Sequence, residues 1–172
     1  MGGQDKIQSG GAASTVAGWG LPVLDGSQFL ALSEYERLRY IAALGSFAPS
    51  THNTQPWAFF LDEGAPAIRV YLDRKFVLPE SDAAGREALV RVGCARANME
   101  IAGETLGMPL RVSYENPPSR ALAPLAPGSD PKSRYCRLAQ LLAARTAKQP
   151  LSHMDRPIVR LETLLKRRVT RA

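Results

Sequence analysis

Apolar residues recur along this chain in two rhythms, and each marks a different kind of element. Ser33 and Glu36 make a capping-box pair, after which Tyr35, Leu38, Ala42 and Leu44 recur at roughly helical spacing until Gly45, so a helix of about three turns is predicted there. Beyond it the period drops to two. Trp57, Phe59 and Leu61 alternate with Ala58, Phe60 and Asp62, and Ile68, Val70 and Leu72 alternate with Arg69 and Tyr71, which predicts two strands. The break Glu63-Gly64-Ala65-Pro66 suits a hairpin connection between them.

Helical spacing returns with Leu89, Val92, Ala95, Met99, Ala102 and Leu106, predicting a long helix from Ser81 or Asp82 to Leu106, with Gly107 as its stop and Pro109 just beyond. Small residues along it permit close approach of another element, as in a central core helix. Residues 110 to 114 form a short strand. Asp130-Pro131 then reads as the N-cap and first residue of a further helix, with Tyr135, Leu138, Leu141 and Leu142 on its apolar side and its end near Arg145 to Lys148. A last helix is expected from Asp155 to Arg168, carrying Ile158, Leu161, Leu164 and Leu165. The pattern is that of an α+β protein.

Between these elements, three stretches lack either rhythm. Residues 1 to 28, rich in Gly and Ser, read as a mobile leader, and residues 115 to 130, with Pro117, Pro118, Pro124 and Pro127, as a linker. The third, from Ala48 to Trp57, is dense in polar groups. Pro49 and Pro56 bracket it, and Pro56 biases Gln55 toward extended backbone, so a shaped loop is expected. It offers hydroxyls, the His52 imidazole and the carboxamides of Asn53 and Gln55, a set able to donate to and accept from the edge of a planar heterocycle. It holds no acid and no thiol, so it reads as a cradle. Taken singly, its residues have ordinary structural readings as well: Ser50 as a cap, Asn53 as a turn former, Trp57 as core, His52 as a hydrogen-bonded spacer or a proton donor.

Composition narrows the field. With 172 residues, 45% of them hydrophobic and 22% charged, the chain belongs with soluble globular proteins. The net charge of +6 is mostly local: Arg160, Lys166, Arg167, Arg168 and Arg171 against Glu162 account for +4, leaving +2 for the other 159 residues. A basic end of this kind is a solvated face more readily than a nucleic-acid contact. Cys94 and Cys136, placed on two different helices, make no disulfide framework, and a reducing cytoplasm is expected. No apolar run approaches the ~18 residues of a membrane span, and the N-terminus has no secretion-signal pattern. His52 and His153 with the two cysteines have no metal-ligand spacing. GxGxxG, P-loop and GxSxG motifs are absent from the sequence, which speaks against nucleoside-triphosphate and serine-hydrolase chemistry.

Ser50, Asn53, Gln55, Pro56 and Trp57, in the pattern PSxxNxQPW, resemble the characteristic loop of the flavin-dependent nitroreductase family. The WAFF and YLD strands, the DRKFVLPESDAAGRE connection and the GCARANMEIAGETLG helix look like the first half of that family's internally duplicated, Acg-like branch, over roughly residues 33 to 158. The resemblance implies a three-layer α+β fold, incomplete here: a first unit over 29 to 114, the linker, and the opening helices of a truncated second unit over 131 to 172. It further implies FMN held between two units, with Ser50, Asn53 and Gln55 along the ring and Arg145, Thr146 and Lys148 on the phosphate. On the residues alone those three are also favourable groups at a helix end. The family's first phosphate arginine falls on Ala144.

The implied activity passes electrons from NAD(P)H to a nitroaromatic or quinone-type acceptor. The alternative is an inactive, truncated homologue that sequesters flavin or acts through protein partners. The implied partners are a small-molecule acceptor and a second copy, joined through the exposed inter-unit face, with neither nucleic acid nor membrane.

Overall fold

A computed structural model of the protein describes residues 21–62, 66–117 and 121–144. Its centre is a four-stranded antiparallel sheet made of β1 (Trp57–Asp62), β2 (Ala67–Asp73), β3 (Leu110–Tyr114) and β4 (Tyr135–Ala143), in the order β1-β2-β4-β3. Among the described residues three α-helices accompany it: α1 (Gly26–Leu30), α2 (Glu34–Gly45) and α3 (Arg86–Thr105). The fold is mixed α+β, as the two rhythms predict.

The hairpin forms in the expected register. Trp57, Phe59 and Leu61 stand opposite Leu72, Val70 and Ile68, so all six side chains share one face, and the three from β2 are fully buried beneath α2 and α3. Burying a residue of this kind stabilises the fold by about 1.5–3 kcal/mol each, as an upper estimate. The opposite face carries Phe60, Tyr71 and Tyr135 in edge-to-face contact, with centroids 5.1 to 6.4 Å apart. Phe60 and Tyr135 stay exposed.

The helix expected from Pro131 onward is instead the inner strand β4, and the reason is local. Asp130 does cap a turn, accepting from the Lys132 N–H at 2.9 Å, but that turn is a single 3-10 turn over Pro131–Arg134. β4 then pairs with β2 through a bulge: Ala139 faces Val70 while Arg137 faces Tyr71, leaving Leu138 as the extra residue. The bulge breaks the alternation, so the inward residues Cys136, Leu138, Ala139 and Leu141 fall at a spacing that mimics a helix. Cys136 accordingly sits on a strand, and only Cys94 on a helix. Because β4 lies between β2 and β3, residues 135–143 complete the same sheet as the elements before the proline-rich connector.

That connector is tied down where it is described. The Arg74 guanidinium donates to the carbonyls of Ala123 (2.7 Å), Pro124 (3.4 Å) and Ser133 (3.0 Å), and Ala121 and Leu122 pack on the core. Beside it, Arg134 makes a two-pronged pair with buried Asp73, at 2.9 and 2.6 Å. The expected leader also needs correction over residues 21–28. Asp25 caps α1 through a capping box with Gln28, and the Tyr40 hydroxyl donates to the Pro22 carbonyl at 2.9 Å while accepting from the Leu24 N–H. Phe29 is fully buried.

α2 begins as expected at Ser33, whose hydroxyl accepts from the Glu36 N–H. Its core face is Leu38, Ile41, Ala42 and Leu44; Tyr35, counted in the apolar stripe, is exposed. α3 starts four or five residues later than expected because the chain turns at Gly85 (φ 68°) before entering the helix. Asp82, buried, reaches over that turn and accepts from the N–H groups of Glu87 (3.1 Å) and Ala88 (2.8 Å). The residues of its stripe from Val92 to Leu106 are buried, whereas Leu89 is partly exposed. No helix among the described residues is long and apolar enough to cross a membrane.

Candidate functional site

The PSxxNxQPW loop leaves α2 and turns sharply before β1. Ser50, in extended backbone, precedes a 3-10 turn over Thr51–Asn53, and the Asn53 N–H donates to the Ser50 carbonyl at 3.1 Å. His52, Asn53 and Gln55 all have positive φ, at 50°, 53° and 48°. Asn and His enter this region more often than other side chains, but a residue preceding proline does not adopt it readily. Gln55 therefore departs from the extended backbone that Pro56 favours. Each such residue costs on the order of 1–3 kcal/mol, which persists only where surrounding contacts enforce it.

Those contacts are visible. The Ser50 hydroxyl oxygen accepts from the Gln55 N–H at 3.0 Å, closing the loop across five residues. The Gln55 Nε2 donates to Asn53 Oδ1 at 3.2 Å. From below, the nearly buried Arg91 guanidinium donates to the Thr51 hydroxyl and pairs with Glu87 one turn earlier on α3. Arg91 thus fixes the loop to the central helix. It was not singled out from the sequence, although a cation between Ala88, Val92 and Ala95 on the buried side of α3 is the signal that marks it.

Ser50, Asn53 and Gln55, the ring-facing candidates, are brought together and half-buried in this loop. Their mutual bonds use the Asn53 oxygen and one Gln55 donor. The Ser50 O–H, the Asn53 Nδ2 and the Gln55 Oε1 retain donor and acceptor capacity. Thr54 Oγ1 is buried without a hydrogen-bond partner among the described residues. His52 is exposed at the tip. A neutral set of donors and acceptors of this kind fits the pyrimidine edge of a flavin ring. Arg145, Thr146 and Lys148, like His153, lie outside the described residues. Ala144 lies just within them, its N–H donating to the Pro109 carbonyl at 2.9 Å.

Other candidate chemistry is sparse. Both cysteines are free thiols, Cys94 half-buried and Cys136 buried. Burial pushes the Cys136 thiol above its ordinary range, with the nearby Arg74 opposing it, so this thiol is poorly nucleophilic. Among the described residues, no group of three or more His, Cys, Asp and Glu side chains is placed to hold a metal ion.

No protein-family model matches the chain. Over 71 residues, 41% of this chain and 21% of the relative, it is 35% identical to the provisionally named NAD(P)H nitroreductase acg of Mycobacterium tuberculosis. Over 67 residues, 38% of this chain and 20% of the relative, it is 30% identical to the uncharacterized protein Rv3127 of the same organism. The matched stretch spans about a fifth of the length of these relatives. A solved nitroreductase family protein from Streptococcus pneumoniae aligns with a TM-score of 0.46 at 12% identity, over 73% of this chain and 90% of that one.

Proposed function

We propose that this chain is a nitroreductase-like oxidoreductase unit that holds FMN against the loop from Ala48 to Trp57. The observation that carries the proposal is the strained backbone at His52, Asn53 and Gln55, which gathers one hydroxyl and two carboxamides at a single half-buried place. The local similarity to acg supports it. When bound, FMN supplies the redox chemistry that moves electrons from NAD(P)H to a nitroaromatic or quinone-type acceptor. The protein's part is to position and to polarise. Ser50 and Asn53 would donate to the ring edge and favour negative charge there, with Gln55 holding the Asn53 carboxamide in orientation. Arg145, Thr146 and Lys148 would hold the phosphate, since a dianion needs cations together with a hydroxyl donor.

Flavin-fluorescence titration tests this reading. The protein should quench FMN saturably, and Asn53→Ala should weaken uptake about 10-fold, the scale of one lost hydrogen bond of ~1.4 kcal/mol. Absence of uptake, or uptake equal in Asn53→Ala, would remove the proposal. A second reading is favoured by Ala144, which stands where a phosphate-binding arginine is expected: an inactive homologue that sequesters flavin or acts through protein partners. NAD(P)H oxidation with a quinone in the presence of added FMN decides against that reading if it is seen.

A homodimer in a reducing cytoplasm completes the proposal. Phe60 and Tyr135 on the outer face of the sheet are apolar surface that association would bury. Sedimentation velocity should show a mass that rises with concentration, and Phe60→Lys should restore the monomer. A wild-type monomer at every concentration contradicts the proposed association.

A further inference from the structure

A second place on the molecule has the form of a binding site, and none of the loop residues belongs to it. Between the inner face of the sheet and α3 lies a cavity of about 340 Å³, within the range of small-molecule pockets. Val70 from β2, Leu138 from the β4 bulge, Leu89 and Val92 from α3, and Leu122 from the connector make it mainly apolar. Arg96, Tyr114, Glu115 and Asn116 supply its polar wall.

Gly93 opens directly onto this space. A glycine in a helix interior is costly relative to alanine, so it normally answers a packing need. Gly45 and Gly103 have such a need: a Cβ at 45 would stand 2.7 Å from Met99 Cγ, and one at 103 would stand 2.6 Å from the Met108 carbonyl oxygen. At Gly93 a Cβ would meet nothing within 4 Å. No described residue needs the room left by this glycine, and the room opens onto the cavity.

The polar wall sets the chemistry of an occupant. Arg96 is the cation lining the cavity, its guanidinium 5.5 Å from the Tyr114 ring centre, which restricts where it can move. Its carboxylate partner is Glu100, at 2.5 Å on the next turn of α3. Burial raises the Glu100 pKa, with Arg96 opposing the shift and Glu104 adding to it, so Glu100 is a reluctant counter-ion. Glu115, which also lines the cavity, is already paired with Arg137 at 2.5 Å.

We propose that this cavity binds a small amphipathic carboxylate, whose apolar body fills the space beside Gly93 and whose carboxylate is received by Arg96.

Isothermal titration with octanoate, and separately with 1-octanol, tests the site on the full chain. Octanoate should bind saturably at one site per chain, and octanol about 10-fold more weakly for want of the charge. Arg96→Gln should lower octanoate affinity to the octanol level while leaving octanol unchanged. Gly93→Leu should abolish both, because its side chain occupies the cavity, whereas Gly93→Ala should retain both. If Gly93→Leu does not fold, Leu89→Trp at the cavity wall provides the same block. Absence of saturable octanoate binding, octanoate binding unaltered in a folded blocking variant, or equal affinity for octanol and octanoate in the wild type would each overturn the assignment.

Discussion

Replacing Gly85 by alanine is expected to destabilise the protein by about 2–5 kcal/mol, although it adds a single methyl group. Two costs combine. At φ 68° the residue is in the left-handed region, where an L side chain costs roughly 1–2 kcal/mol. The new Cβ would also overlap the Leu122 carbonyl, lying 2.7 Å from its carbon, and overpacking against backbone adds about 1–3 kcal/mol. The Leu122 backbone cannot retreat freely, since the neighbouring carbonyls of Ala123 and Pro124 are held by Arg74. Urea denaturation followed by circular dichroism should show a lower midpoint with little change in slope. A midpoint within error of wild type would mean that residues 121–124 do not lie against the start of α3.

Asp82→Ala should be nearly as costly, at about 2–3 kcal/mol. The N-cap of α3 is Gly85, which has no side chain to offer, so the first turn depends on a carboxylate from three residues upstream. A hydrogen bond donated to an ionised acceptor is worth about 1.5–3 kcal/mol, and the positive end of the helix adds to it. Removing Asp82 leaves the N–H of Ala88, at a fully buried residue, without its acceptor. Asp82→Asn keeps an acceptor without the charge and should recover part of the loss. Because Gly85 and Asp82 shape the same turn, the double variant should lose less than the two single losses added together. The same denaturation series reads all three, and strict additivity would show that the two residues act separately.

The elements legible in the sequence are those whose pattern is local. β1 and β2 alternate without interruption, and the capping pair at Ser33 and Glu36 is a four-residue signal, so both were readable within a few positions. β4 was not, because its bulge is imposed by pairing with β2, a partner some seventy positions earlier in the chain. The late start of α3 was hidden for a similar reason: Gly85 is needed there because Leu122 crosses above it. At the candidate site, the resemblance of the PSxxNxQPW pattern to a family loop brought Ser50, Asn53 and Gln55 into view. Their positive φ angles, the reversal at Gln55 against its proline, and the support from Arg91 are consequences of tertiary contact. The cavity beside Gly93 had no sequence signal either, since a lone glycine in a helix reads the same whether it admits a neighbour or leaves a space.

The strand order carries a consequence for how the protein comes together. β4 is the last of the four strands to leave the ribosome, yet it is the one through which β3 is joined to the hairpin of β1 and β2. Until residue 143 has emerged, β3 lacks its partner β4 and β2 lacks the same strand on its other side. Sheet closure therefore has to wait for a contact between distant parts of the chain, the kind that makes folding slow and leaves unpaired edges exposed meanwhile. A nascent chain stalled before β4 is a half-built sheet whose natural plug is the missing strand, and in a crowded cell the first strand to fill that gap can come from another molecule.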